Sequence, residues 1–251
     1  INLHGFFKFE VTLIKKFAKL FFVRDKETSR WFRSIGVPAI YLGNPMLDGL
    51  LPSNKLILKK DTIAILTGSR KEGYKNFEKI LQLTRFIDKN RKIYFAYSVP
   101  YILDLNKILL LVKKYGFSVE NKTDFYFAKK ENIEILLCRN YFAEILNQCK
   151  FVIGLSGTGT EQACGLGKPV ITFIGTGSQT SYLRMKSQAK LLHGCVKFVK
   201  NYPIDVIKEI YLLLDDDNEC KSRGDKGKEL MGKAGAKSIA CLLYTSPSPR
   251  D

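Results

Sequence analysis

The stretch that decides the fold, residues 151–173, reads FVIGLSGTGTEQACGLGKPVITF. The apolar run at each end predicts a buried strand, and the residues between them predict a turn followed by a short helix. Free N–H groups at a helix N-terminus and the positive end of its dipole attract anions. Gly157 and Gly159 would let a ligand approach the backbone, whereas Gly165 and Gly167 close the helix without needing a ligand. The stretch therefore predicts an anion site at a strand end, with tight turns alone as the alternative.

The same alternation of strands and helices continues through the chain. Predicted strands are TIAILT (62–67), KIYFAYSV (92–99), FSVEN (117–121), DFYFAKK (124–130), IEILLC (133–138), FVIGLS (151–156), PVITFIG (169–175) and VKFVK (196–200). Helices are expected between them, one reaching about Asn90 and one closing the chain over 226–240. Near-continuous apolar strands separated by helices are typical of a parallel sheet covered on both faces. The pattern predicts a doubly wound, Rossmann-like α/β domain.

Four segments are predicted. Residues 1–47 carry two strands and a helix capped by Asp25, which suggests the end of a preceding α/β domain. Residues 48–61 are a Pro- and Gly-containing linker, and 62–240 form the main domain. The last segment, 241–251 (CLLYTSPSPRD), matches the translation of a transposon-end sequencing adapter and is predicted not to be native. A genuine Pro/Ser-rich tail is the alternative.

The chain is strongly basic, with a net charge of +17. Solvated Lys-rich helix faces are one explanation, and a basic surface for an anionic membrane or a phosphorylated substrate is another. Nucleic-acid motifs are missing, so no nucleic-acid partner is expected. The six cysteines are scattered, and only His4 and His193 accompany them, so we expect buried thiols in a reducing cytosol and no metal site.

A second loop with phosphate-binding chemistry follows the strand at 62–67. Gly68 permits a sharp turn, Ser69 offers a hydroxyl, and Arg70 offers a planar set of donors that suits phosphate. The alternative is a surface arginine beside a tight turn. Dinucleotide-binding and Walker spacings are both missing. Two such loops on one sheet therefore predict a nucleoside diphosphate.

Side chains around the glycine-rich turn extend this prediction. Ser156, Thr158 and Thr160 can donate hydroxyls to phosphate. Glu161 and Gln162 lie one turn into the helix, where a carboxylate or an amide can accept hydrogen bonds from sugar hydroxyls.

Three motifs together resemble a known family. They are G-N-P-M-x-D-G at 43–49, L-T-G-S-R at 66–70, and S-G-T-x-T followed by G-L-G-K-P-V over 156–170. In this order and spacing, the chain resembles the lipid-A-disaccharide synthase-related proteins, which are relatives of the bacterial glycosyltransferase that joins two acylated glucosamine units. The resemblance covers nearly all of 20–240.

The resemblance implies a GT-B fold, in which two Rossmann-like domains face each other and the C-terminal one binds a UDP-sugar. It implies inverting, metal-free sugar transfer without a cofactor, from UDP to a lipid or glycolipid acceptor, by a cytoplasmic protein at the inner face of the cytoplasmic membrane. The residues implied to hold the donor phosphates are Gly68, Ser69, Arg70, Ser156, Gly157, Thr158, Gly159 and Thr160. Gln179 is implied to lie near the donor, beside the sugar-binding Glu161 or Gln162.

The chain also departs from the synthase pattern. Thr67 replaces a proline, Asn44 replaces a histidine of the cleft, and Gln162 stands where the donor-domain glutamate falls. The catalytic base of the family lies upstream of Ile1, so this chain is expected to bind UDP weakly without turnover. Alternatives are another UDP-sugar enzyme such as a 2-epimerase, a family member that has lost activity, or a non-catalytic basic module that binds membrane or nucleic acid.

Overall fold

The computed structural model describes residues 6–53 and 55–245. His4 and residues 246–251 of the predicted adapter segment lie outside the described part. The chain divides into two compact units: the first is drawn from Ile1–Gly49 and Leu230–Asp251, and the second is Leu50–Glu229. The last part of the predicted donor domain, from Leu230, therefore groups with the first unit. None of the described helices is long and apolar enough to cross a membrane.

The first unit contains a small parallel α/β layer. Its elements are α1 (Lys8–Phe17), β1 (Phe21–Phe22), α2 (Lys26–Ser34) and β2 (Ala39–Ile40). Strands β1 and β2 pair in parallel, and the Phe32 ring on α2 packs edge-to-face against Phe21 with centroids 4.7 Å apart. The Asp25 carboxylate accepts a hydrogen bond of 2.7 Å from the Thr28 N–H, so the predicted cap of α2 is confirmed.

The second unit is built on an eight-stranded sheet. Its strands are β3 (Ile63–Leu66), β4 (Ile93–Ser98), β5 (Ser118–Lys122), β6 (Phe125–Lys130), β7 (Ile133–Cys138), β8 (Phe151–Gly154), β9 (Val170–Thr172) and β10 (Val196–Phe198). Their order across the sheet is β10-β9-β8-β3-β4-β7-β6-β5. Every residue of β3 and β8 is buried, as a central strand covered on both faces requires.

Within residues 55–245, six helices connect and cover these strands, and two more follow them. They are α3 (Gly73–Leu83), α4 (Leu105–Lys114), α5 (Phe142–Gln148), α6 (Thr158–Gly165), α7 (Tyr182–Leu191), α8 (Ile204–Asp215), α9 (Asp217–Met231) and α10 (Ala236–Thr245). The parallel-dominated sheet confirms the predicted α/β class.

One edge of the sheet is antiparallel, which the sequence analysis did not predict. Strand β6 pairs antiparallel with both β5 and β7. Only two residues separate β5 from β6 and β6 from β7, whereas a parallel connection needs a crossover of about a dozen residues. Thr123 and Glu131 adopt positive φ angles of 55° and 50° in these turns. The short connections therefore make an antiparallel extension at this edge.

Two helix predictions were wrong in extent. Helix α3 ends at Leu83, and a 3₁₀ turn at Thr84–Phe86 follows it, so the helix does not reach Asn90. The predicted helix over 226–240 is divided between α9 and α10, because Gly232 adopts a left-handed φ of +70° that ends α9. The Asp48 carboxylate then accepts hydrogen bonds from the N–H groups of Gly235 and Ala236 at the start of α10.

Five of the six cysteines are buried and free, and Cys241 is exposed; the buried ones are Cys138, Cys149, Cys164, Cys195 and Cys220. Burial raises the pKa of both the Cys138 and the Cys149 thiols to about 12. The prediction of buried thiols is confirmed for these five residues. The raised pKa keeps the Cys138 and Cys149 thiols protonated at neutral pH, which makes these two poor nucleophiles.

Helix α9 packs unusually closely on the turn that follows α6. A Cβ atom at Gly224 would lie 2.2 Å from the Gly167 carbonyl oxygen, and one at Gly227 would lie 2.6 Å from the Cys164 carbonyl oxygen. Only glycine at these two positions lets the helix approach the backbone of that turn.

We expect Gly224→Ala to lower the free energy of unfolding by about 1–3 kcal/mol, because the new methyl group overpacks a backbone contact. The sign of this change in the free energy of unfolding is informative, because at an unconstrained helix position alanine stabilises by about 1 kcal/mol relative to glycine. Urea denaturation measures the change. Ser222→Ala, at an exposed position of α9, is the control and should leave stability nearly unchanged. A more stable Gly224→Ala variant would contradict the close packing.

Candidate functional site

The candidate site lies where the strand order of the sheet reverses. From β3 the chain passes to β4 and then to β5 at the edge, returns through β6 to β7 beside β4, and crosses to β8 on the other side of β3 before it continues to β9 and β10. Strands β3 and β8 are parallel neighbours, with Leu66 opposite Gly154 at their carboxyl ends. In open parallel sheets, ligands bind outside the carboxyl ends of the strands at such a switch point. The two predicted phosphate loops leave the sheet here, one from each strand.

The loop after β3 turns sharply against the loop after β8. Gly68 has a φ of +83°, and a Cβ atom there would lie 3.3 Å from the Leu155 carbonyl oxygen. The Leu155 N–H in turn donates to the Leu66 carbonyl oxygen at 2.6 Å. Ser69 and Arg70 are exposed, and the Arg70 guanidinium makes no hydrogen bond or ion pair with the described residues. The arginine is therefore free to bind an anion.

The loop after β8 leads directly into α6. Gly157 precedes the helix, Thr158 begins it, and both residues are exposed. A Cβ atom at Gly157 would meet nothing within 4 Å, whereas one at Gly159 would lie 2.8 Å from the Ser156 Oγ atom. Gly159 is thus explained by packing alone, and Gly157 faces open space. The N–H groups of Thr160 and Glu161 donate to the Gly157 carbonyl oxygen, which leaves the N–H groups of Thr158 and Gly159 without an acceptor among the described residues.

The hydroxyls of this loop differ in availability. Thr160 is buried, and its hydroxyl donates to the Ser156 carbonyl oxygen at 2.8 Å, so this side chain holds the loop in shape. The Ser156 Oγ atom is buried and has no hydrogen-bond partner among the described residues. A buried polar atom without a partner is uncommon and suggests a missing ligand or water.

The remaining predicted residues fall in three places. Glu161 and Gln162 are half-buried in the first turn of α6. Gln179 is exposed in the loop after β9, within a 3₁₀ turn at Ser178–Thr180. Asn44 belongs to the first unit; it is buried, and its Oδ1 atom accepts from the Met46 N–H. The second unit therefore brings the two phosphate loops together on neighbouring strands, and Gln179 follows the next strand along.

The sequence did not predict a role for two side chains, that of Asn76 on α3 and that of Glu72 directly before α3. Buried Asn76 donates through Nδ2 to the Thr67 carbonyl oxygen at 3.1 Å and accepts at Oδ1 from the Thr176 N–H at 2.7 Å. The Glu72 side chain lies against Gly177, where a Cβ atom would be 2.8 Å from Glu72 Cγ. Asn76 and Glu72 link the loop after β3 to the loop after β9. The sequence shows only an asparagine near a predicted helix start, and the burial of Asn76 is seen in the structure alone.

Thr67, which replaces the proline of the resembling family, has a specific partner. Its Oγ1 atom lies 2.6 Å from the Tyr97 hydroxyl on β4, and both side chains are buried. Burial raises the pKa of Tyr97 well above its ordinary value, so the phenol stays neutral. A proline at 67 could not make this bond.

A cavity of about 280 Å³ opens on the same side of the second unit, where the chain leaves β7. Its lining residues are Ser53, Lys55, Asp124, Arg139, Asn140 and Tyr141. The Arg139 guanidinium donates to the Leu103 carbonyl oxygen at 2.6 Å and stacks on the Tyr101 ring at 5.2 Å. The cavity combines donors, an acceptor and an aromatic ring, which suits a small polar ligand.

Comparison with known proteins gives a fold. No family model matches the chain, and no curated protein matches it. A Listeria monocytogenes structure assigned as a UDP-N-acetylglucosamine 2-epimerase is 19% identical to this chain, with a TM-score of 0.60. The match covers 91% of this chain and 59% of the Listeria chain. The Neisseria meningitidis UDP-GlcNAc 2-epimerase bound to UDP-GlcNAc is 20% identical, with 89% and 60% covered and a TM-score of 0.55. The glycotransferase of kitacinnamycin is 13% identical, with 87% and 60% covered and a TM-score of 0.50.

The fold is of the GT-B type. The predicted Rossmann-like domain with the end of a second α/β domain is confirmed at this level. The chain spans about three fifths of the length of the solved structures it matches. Among residues 6–53 and 55–245, no cluster of His, Cys, Asp or Glu is arranged to hold a metal ion, and metal independence stays a prediction.

We expect Thr67→Val to lower the free energy of unfolding by about 1–3 kcal/mol, because it leaves the buried Tyr97 hydroxyl without a partner. The double variant Thr67→Val/Tyr97→Phe should cost less than the sum of the two single variants, since neither hydroxyl is then left unpaired. Urea denaturation of the four proteins completes the cycle. Strictly additive losses would mean that the two hydroxyls do not interact.

Proposed function

We propose that this chain binds a UDP-sugar, with the diphosphate held between the loop after β3 and the loop after β8. The observation that carries the proposal is that both loops leave adjacent parallel strands at the point where the strand order reverses. Neighbouring strands lie about 4.8 Å apart, a spacing that one diphosphate can bridge. The loops can therefore contact a common anion.

The chemistry of the two loops suits a diphosphate. Arg70 supplies an exposed guanidinium that is free of other partners, and α6 presents N–H groups and a positive dipole end at Thr158. The unpartnered Ser156 hydroxyl and the exposed Ser69 add neutral donors. Gly157 leaves open space in front of the helix. We assign the phosphate contacts to these residues and give Gly68, Gly159 and Thr160 the role of shaping the loops.

The cavity after β7 is proposed to receive the uracil base and the ribose. Strand β7 is two strands from β3, which places the cavity about 10 Å from the diphosphate loops. That distance fits the length of a nucleoside. Arg139 and Tyr141 offer a donor and an aromatic face for a planar base. Glu161 or Gln162 in α6 and Gln179 after β9 lie on the other side of β3, and they are proposed for the hydroxyls of the transferred sugar.

The proposed reaction is inverting sugar transfer to a hydroxyl. The bond between the sugar C1 and the UDP oxygen breaks as a bond from C1 to the acceptor oxygen forms, and a base takes the acceptor proton. Negative charge develops on UDP, where Arg70 and the N-terminus of α6 can stabilise it. The motifs shared with the lipid-A-disaccharide synthase-related proteins support this reaction. No metal or cofactor is assigned, and the base is proposed to lie upstream of Ile1.

A second candidate is a UDP-sugar 2-epimerase. Two of the solved structures that this chain resembles, with TM-scores of 0.60 and 0.55, are assigned as UDP-GlcNAc 2-epimerases, and one of them was solved with UDP-GlcNAc bound. Both candidates need the same binding of the diphosphate, so they differ only in the reaction at the sugar.

The acceptor and the location are further parts of the proposal. A lipid or glycolipid acceptor and a cytoplasmic site at the membrane surface agree with the net charge of +17, which favours anionic surfaces. A non-catalytic basic module is the opposing hypothesis. It predicts salt-sensitive binding to anionic vesicles or nucleic acid without preference for uridine.

Titration calorimetry with UDP tests the proposed binding of the diphosphate by the two loops. We expect the 251-residue chain to bind UDP in preference to other nucleoside diphosphates, and Arg70→Ala to weaken binding by about 1–3 kcal/mol because a charged hydrogen bond to phosphate is lost. Arg85→Ala, at an exposed 3₁₀ turn before β4, is the matched control and should bind like the wild type. Equal affinity for UDP in the Arg70 and Arg85 variants would remove Arg70 from the site.

Nuclear magnetic resonance in deuterated water separates the two reactions. We expect the chain, given UDP-GlcNAc alone, to show neither deuterium exchange at the sugar C2 nor UDP release, because the base is proposed to lie upstream of Ile1. Exchange at C2 would favour the epimerase and contradict a missing base. UDP release that depends on an added acceptor would favour the transferase. The Arg70→Ala variant is the control for any activity observed.

A further inference from the structure

Asn76 joins two loops at the carboxyl edge of the second unit. It is 2% exposed, and its amide uses both ends, donating to the Thr67 carbonyl oxygen and accepting from the Thr176 N–H. Its own N–H donates to the Glu72 carbonyl oxygen at 3.0 Å within α3. One side chain on a helix therefore ties the end of β3 to the loop after β9, on either side of β8.

The loop after β9 is held by hydrogen bonds within itself and to α3. The Thr180 hydroxyl donates to the Thr176 carbonyl oxygen at 2.8 Å, and the Gly175 N–H donates to the Thr180 carbonyl oxygen at 3.0 Å. A Cβ atom at Gly175 would lie 2.8 Å from Asn76 Oδ1. Lys79, one turn further along α3, donates to the Ile174 carbonyl oxygen at 2.9 Å. The loop is closed on itself and held to α3 at two points.

The end of β3 is held from the opposite side as well. Thr67 meets Asn76 through its carbonyl oxygen and Tyr97 through its hydroxyl, so β4 and α3 both fix the residue that precedes Gly68. Gly68 begins the sharp turn that carries Ser69 and Arg70. Residues 68–70 are called the arginine loop below. Any displacement of Asn76 would therefore move the start of the arginine loop together with the loop that carries Gln179.

We propose that Asn76 is a positioning residue that sets the distance between the arginine loop and the loop after β9, and thereby the fit of the diphosphate and sugar end of the ligand. This inference rests on the proposed UDP-sugar site. Asn76 does not contact the ligand in this role. It acts through Thr67 and Thr176, while the cavity after β7 lies beyond its reach and receives the nucleoside.

The test compares two ligands in two variants. Asn76→Leu should weaken binding of UDP by roughly tenfold or more, the equivalent of at least one hydrogen bond, while binding of uridine stays unchanged. Calorimetry measures UDP, and ligand-detected magnetic resonance measures uridine. The matched control is Asn147→Leu, because Asn147 on α5 also donates from Nδ2 to two carbonyl oxygens, those of Leu50 and Ala143. Asn147→Leu should change neither affinity at a temperature where both variants are folded.

Hydrogen exchange gives a readout that does not need the ligand. In Asn76→Leu, amide exchange should rise together over 67–70 and 174–180, and it should not rise there in Asn147→Leu. If Asn76→Leu does not fold, Asn76→Ser, which keeps a polar group too short to reach both partners, replaces it.

The outcomes separate the inference from the function on which it rests. A wild-type chain that fails to bind UDP overturns the proposed function, and the paired rise in exchange then still supports Asn76 as the link. A wild type that binds UDP, with Asn76→Leu binding it equally well, overturns the positioning role while the function stands. Equal losses for UDP and uridine would mark Asn76 as a general stability residue and also overturn the inference.

Discussion

The pairing of β3 with β8 is the constraint on which the rest of the site depends. These strands are far apart in the sequence, yet their residues pair one to one from Ile63 with Phe151 to Leu66 with Gly154. Gly154 belongs to this constraint, because a Cβ atom there would lie 2.7 Å from Val170 Cγ1 and 2.8 Å from Thr160 Oγ1. The close approach lets Thr160 pack beneath the strand end and fixes the start of α6.

Around this pair, the molecule divides its polar groups into two sets. Buried ones satisfy each other and fix backbone positions, as Tyr97, Thr67, Asn76 and Thr176 do. The Arg70 guanidinium, which is exposed, and the Ser156 hydroxyl, which is buried, make no hydrogen bond with the described residues. Under the proposed function, an anion would meet loops whose backbone is already fixed by this buried network.

The glycine-rich stretch serves packing more than it serves a ligand. Gly159 makes room for Ser156, and Gly167 has a left-handed φ of +75° and lies against Lys228 and Gly224. Gly157 alone among these faces open space. The glycines of this stretch therefore have two roles: most allow close backbone contacts, and Gly157 leaves open space at the N-terminus of α6.

The amino-acid sequence by itself determined the succession of strands and helices, the α/β class, the cap of α2 at Asp25 and the positions of the two loops for which phosphate binding is proposed. Local periodicity and turn residues are sufficient for these features, because they depend on neighbours a few residues away. Only the tertiary structure decided that β3 and β8 are adjacent and that Asn76 reaches both Thr67 and Thr176. These features join residues up to about a hundred positions apart, where no local pattern specifies the pairing and only the packing of the whole sheet selects it.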